Sequence, residues 1–155
     1  MDTPTYITST AILSTLGIVF GIIFSVLLYL LFSYSLYIMV KKRGMPNPWL
    51  AWIPVVNFYC IGKMTGNISI FKLNLTNMEI ILPLAFALFI GLVYVPLVGF
   101  ILSAIGLFVL VVAMHKLYET FDRENAFILT ILTAVLPVIA APVIMFIYRE
   151  KQFPR

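Results

Sequence analysis

The sequence predicts an all-α fold, a polytopic transmembrane helix bundle, on three observations. Of the 155 residues, 63% are apolar and only 10% charged. A soluble domain carries about a quarter charged residues, so these are too few to coat a surface facing water. The apolar residues fall in runs of membrane-crossing length, the hydrocarbon core needing about 20 helical residues. Finally, the Lys and Arg residues cluster at the ends of those runs, as the flanks of membrane helices do. The net charge of +4 belongs to these flanks, so the expected partner is the lipid bilayer and not nucleic acid.

Residues 1–155 read as a single membrane domain. The first span covers about 11–40. Its N-terminal flank, MDTPTYITST, has no positive charge, and the run is too long for a signal-peptide core, so a retained helix is expected. Lys41, Lys42 and Arg43 stop it. Gly44, Pro46 and Pro48 then break it, because Pro lacks an N–H and biases the preceding residue away from the helix. A second span is expected over 78–94, with Pro83 tolerated near its start, where first-turn N–H groups have no partners. The uncharged turn VPLVG leads to a third span over 100–118. It ends in HKLYETFDREN, the charge-dense stretch of the chain. The last span covers 126–148 and contains Pro137 and Pro142.

Between the first two spans lies 47–65, rich in Pro and Trp. It can cross the membrane, lie in the interface, or dip in and return. Trp49 to Gly62 is short for a crossing, and Trp49 and Trp52 favour the headgroup layer. With the N-terminus outside the cell membrane and four spans, seven cations (Lys41, Lys42, Arg43, Lys63, Lys72, Lys116, Arg123) are cytoplasmic and three (Arg149, Lys151, Arg155) are outside. With five spans the count is six against four. The positive-inside rule favours four spans plus a re-entrant or interfacial segment at 47–65. Five spans is the alternative, and the acceptor patterns Asn67-Ile-Ser and Asn74-Leu-Thr would support it if glycosylated.

The segment Pro48-Trp49-Leu50-Ala51-Trp52-Ile53-Pro54-Val55-Val56-Asn57-Phe58-Tyr59, followed by Gly62-Lys63 and Thr65-Gly66, resembles one in small uncharacterised bacterial multi-pass membrane proteins. These form a domain-of-unknown-function family sometimes found with signal peptidases. The resemblance covers about 25 residues and rests on Trp-Ile-Pro-x-x-Asn-x-Tyr. It implies a multi-pass membrane protein and carries no activity. The Ser-Lys pair of signal peptidases is not evident here.

Three groups of residues bear on function. Asn57 is the strongly polar side chain of the break. It either caps backbone groups freed by Pro54 or lines a ligand site with Tyr59 and Lys63, as broken membrane helices do. Gly17, Gly21 and Ser25 lie four apart on one face of the first span, a spacing that lets another helix approach closely. His115, Glu119 and Asp122 share one side of a helix end. A metal or acid–base site is geometrically open to them, although ordinary ion pairs of Glu119 with Lys116 and Arg123 explain the same spacing. Cys60 reads as a small packed residue. The spans carry almost no ionisable residues, which argues against ion-driven transport and proton relays. No cofactor or metal is expected, and whether the chain is an enzyme is left open with the balance against it, an interfacial activity of His115, Glu119 and Asp122 ranking last. The expected function is an accessory or interaction subunit that uses helix faces to bind itself or a larger membrane complex. The alternative is a small permease, channel or lipid-handling protein with its site at 54–63.

Overall fold

A computed structural model of the chain describes residues 5–70, 73–92 and 98–150. The fold is helical. Helix α1 (Thr5–Lys42) is followed by a 3-10 turn (Pro48–Trp52) and α2 (Asn57–Thr65). A short antiparallel ribbon comes next, β1 (Ile68–Ile70) and β2 (Leu73–Leu75), with Ile68 opposite Leu75 and Ile70 opposite Leu73. Then come α3 (Met78–Leu92), α4 (Val98–Phe121), α5 (Ala126–Val135) and α6 (Pro137–Tyr148). Two helices, Thr10–Lys42 and Gly99–Phe121, are long and apolar enough to cross a membrane, while Met78–Gly91, Ala126–Val135 and Pro137–Tyr148 are shorter apolar helices. The sequence reading did not foresee the ribbon.

Helix α1 has 38 residues, about 57 Å at 1.5 Å per residue. Three of its hydroxyls bond back to its own carbonyls, Ser14 and Thr15 to Ala11 and Ser35 to Leu31, and so need no outside partner in an apolar medium, while the Ser33 hydroxyl is buried without a partner among the described residues. The helix ends in a Schellman motif. Gly44 sits at φ +65, with its N–H bonded to the Lys41 carbonyl and the Met45 N–H to that of Val40. Lys41 and Lys42 also lie where the helix dipole favours cations.

The chain then folds back along α1. The Tyr29 hydroxyl donates to the Trp52 carbonyl at 2.8 Å, and Tyr29 lies about 20 Å along the helix from Lys42. From that depth α2 returns, because Arg43 at the end of α1 reaches the carbonyl of Met64 at the end of α2. Segment 44–65 is therefore a hairpin folded back along α1. Its apex is Pro54-Val55, with Val55 at φ +70. This is the second central position of a tight turn, where Gly or Asn is usual and a β-branched residue is strained.

Helices α3 and α4 are an antiparallel pair. The Ser103 hydroxyl faces the Phe89 carbonyl at 3.4 Å, and Gly106 lies against the Ala85 carbonyl. Pro83 falls inside α3, not in its first turn as expected, and removes the donor that would reach the carbonyl of Glu79.

The expected single span over 126–148 is two helices folded back on each other. Pro137 disfavours helical geometry at Leu136, which adopts φ −126 and ψ 61. Helices α5 and α6 are about 15 and 18 Å long. If they were collinear, Tyr148 would lie far from Asp122, yet its hydroxyl donates to the Asp122 carboxylate at 3.0 Å. Its ring also stacks on that of Phe121, centroids 5.9 Å apart.

The ends of α1, α2, α4 and α6 meet at one end of the molecule. Lys42 pairs with Glu150 at 3.0 Å, joining the ends of α1 and α6. Arg43 donates to the Thr120 hydroxyl at 3.1 Å, joining α1 to the end of α4. The apolar core sits at this charged end and includes Leu36, Met39, Ile61, Met78, Leu117, Tyr118 and Met145. By contrast, residues 10–27 of α1 are exposed throughout, and burial begins at Leu28.

Candidate functional site

The break, for which a ligand site was the alternative to a structural cap, is positioned by Arg43. Its guanidinium spans from Met64 to Thr120, and burial lowers its pKa from the ordinary arginine value. An arginine stays charged through such a shift, so the contacts are charge-assisted and pin the end of α2 between α1 and α4.

The three residues singled out at the break divide between two sides of α2. Asn57 is 3% exposed. Its backbone N–H bonds to the Ile53 carbonyl, while its side-chain oxygen is buried without a hydrogen-bond partner among the described residues. Tyr59 and Lys63 point the opposite way, being two and six residues on at about 100° per residue. The Lys63 ammonium donates to the Tyr59 hydroxyl at 3.3 Å and sits 5.5 Å from the ring centroid. Cys60 is buried.

Lys63 meets residues that the sequence reading had not selected. A cleft of about 140 Å³ lies between the end of α2 and the start of α3, lined by Gly62, Lys63, Gly66, Asn67, Asn77, Met78 and Glu79. Its floor is tight. A Cβ on Gly62 would lie 2.5 Å from the carbonyl carbon of Met78 and 2.7 Å from Cα of Glu79. Gly66 and Asn77, at φ +66 and +61, turn the backbone out of α2 and into α3. The residues lining the cleft thus carry an ammonium, a carboxylate and two carboxamides, with the Lys63 ammonium leaning back onto Tyr59. Lys63 and Glu79 make no ion pair with each other, and Glu79 has no hydrogen-bond or ion-pair partner among the described residues. A sequence signal existed in Glu79, the lone carboxylate at the edge of an apolar run. Its partners lie across a turn whose path the sequence does not reveal.

The other candidates separate similarly. His115 Nδ1 is 2.9 Å from the Thr130 hydroxyl, and its Nε2 is 3.6 Å from Glu119. Glu119 also bonds Lys116 at 2.8 Å. Asp122 is engaged elsewhere, by Tyr148 and Asn125. No group of three His, Cys, Asp or Glu able to hold a metal occurs among the described residues. Gly17 and Gly21 have open space where a side chain would project, and Ser25 is exposed. No family model matches the chain, and no curated protein or solved structure matches it.

Proposed function

We propose that the chain is an integral membrane protein that crosses the bilayer three times, through α1, α3 and α4. Segments 44–65 and α5–α6 are then re-entrant hairpins opening to the cytoplasm. The N-terminus is outside the cell membrane and the C-terminus inside. The charge distribution supports this topology. Residues 1–40 and 79–115 contain no Lys or Arg, so all ten fall on the cytoplasmic side, where four spans leave three outside. A ten-to-none bias agrees better with the positive-inside rule. Within this topology the resemblance of 48–66 to the multi-pass family describes the first re-entrant hairpin.

The proposed activity is that of an interaction subunit. The observation that carries it is the bare outer half of α1, residues 10–27, which no other part of the described chain covers. Gly17 and Gly21 stand open on it. Lipid tails are as apolar as Leu, so burial alone does not drive helices together in a bilayer. Close backbone approach over small residues does. A face of this kind is self-complementary, which makes a second copy of the chain the first partner to test. The break supports this reading over permeation, because Asn57 is closed off and Ala51, Cys60, Ile61 and Met64 around it are buried.

The test is Gly17→Ile with Gly21→Ile, read by cross-linking in native membranes and by mass in detergent. Association is expected to fall at least tenfold while the thermal midpoint holds, since neither glycine has a neighbour to disturb. An unchanged cross-linking pattern would remove the interaction reading.

A further inference from the structure

We propose that the cleft between α2 and α3 holds the headgroup of a phospholipid bearing a primary ammonium, a phosphoethanolamine. Lys63, Asn67 and Asn77 receive its phosphate and Glu79 its ammonium. The assignment rests on the membrane reading above.

Depth is the first argument. From the contact of Ala85 with Gly106, seven steps back along α3 and forward along α4 bring Met78 opposite Ala113. The first ionisable residue of α4, His115, follows two residues later. The cleft therefore lies where the apolar surface gives way to charge, the level of lipid headgroups. Ile80 and Leu84, one turn apart on α3, are exposed and offer apolar surface to acyl chains directly beside it.

Size and charge are the second argument. The cleft, of about 140 Å³ and open on one side, suits one small headgroup. Two lining residues, Lys63 and Glu79, bear opposite charges and make no ion pair with each other; with the Lys63 side chain swung from Tyr59 into the cleft, a ligand with both signs neutralises both at once. An anionic headgroup without an ammonium would leave its charge facing Glu79. A quaternary ammonium has no N–H to donate to the carboxylate, whereas a primary ammonium has three.

The experiment uses the purified full-length chain and native mass spectrometry with dioleoyl lipids. Retention of phosphatidylethanolamine is expected to exceed that of phosphatidylcholine and phosphatidylglycerol about tenfold. Stepwise N-methylation of the ethanolamine should erode the preference as N–H donors are lost. Glu79→Gln should bring phosphatidylethanolamine down to the phosphatidylcholine level, and Lys63→Gln should lower both. Lys116→Gln, outside the cleft, should change nothing. Equal retention of the three lipids by the wild type, or indifference to N-methylation, overturns the proposal without any variant having to fold. Displacement by soluble O-phosphoethanolamine at the lipid's own concentration also overturns it, in favour of a soluble ester. Release of the chain from membranes by alkaline carbonate would remove the membrane reading itself. A chain that stays in the membrane but shows no ethanolamine preference removes this assignment alone.

Discussion

Gly62→Ala tests the packing that builds the cleft. The added methyl would lie 2.5 Å from the Met78 carbonyl carbon and 2.7 Å from Glu79 Cα. Ordinary contact begins at about 3.4 Å and the Met78 carbonyl oxygen lies nearer still, so α2 and α3 must separate by at least about 0.9 Å. The obstacle is backbone at the start of a helix and cannot swing aside. Overpacking of this kind costs about 1–3 kcal/mol, and rigid surroundings place it near the top of that range. Against it stands the better helix propensity of Ala, about 1 kcal/mol. The net loss is about 2 kcal/mol, near a thirtyfold change in the folded-to-unfolded ratio. For a chain of this size the thermal midpoint should fall by about 4–8 °C. The separation should also loosen the stack of Phe58 on Phe86, whose rings lie 4.1 Å apart. The assay is size-exclusion chromatography after heating in mild detergent, with Gly17→Ala beside it. That control adds a methyl in open space and should match or exceed the wild type. A Gly62→Ala midpoint at or above the wild type would refute the close crossing of α2 and α3.

Four further outcomes are expected. A C-terminal green fluorescent protein fusion should fluoresce and an alkaline phosphatase fusion should be inactive, since α6 ends beside Lys42. The opposite pattern would restore a crossing over 126–148. Tyr148→Phe removes the bond that returns α6 to Asp122 and should cost about 1 kcal/mol, seen as a midpoint lower by about 2–4 °C. Val55→Asn should raise the midpoint, because Asn accepts the left-handed backbone at which Val costs about 1–2 kcal/mol. Lys42 holds the Glu150 carboxylate below its ordinary pKa, through their hydrogen bond first. Their contact is therefore fully present above the ordinary carboxylate range and is lost as pH falls through the lowered value. Any midpoint difference between the wild type and Glu150→Gln near pH 7 should shrink as pH falls through the lowered carboxylate pKa and vanish below it.

The break in the helix over 47–65 was legible, because Pro54 interrupts a run that is short for a crossing; its course back along α1 was not, because crossing, lying in the interface and turning back all fit the same residues. The course of 126–148 was not legible, because Pro137 inside an apolar run is consistent with a kink and with a reversal alike. What distinguishes them is the bond from Tyr148 to Asp122, across 26 residues. The charge count was likewise available in the sequence, but its ten-to-none form follows only once the last two helices fold back. At the break, spacings of two and six residues put Tyr59 and Lys63 opposite Asn57 once a helix begins at Asn57, and that start is what the sequence did not fix.

By itself the sequence determined the helical class, the approximate ends of α1, α3 and α4, and the clustering of charge at one set of ends. Hydrophobic runs and their flanks are local properties, and local sequence suffices to specify them. The tertiary structure decided the reversal at Leu136-Pro137, the bare outer half of α1, and the meeting of Lys63 with Glu79. Each of these depends on which surfaces pack together. A helix crossing as close as Gly62 on Met78 is a relation between two segments, and neither segment encodes it alone.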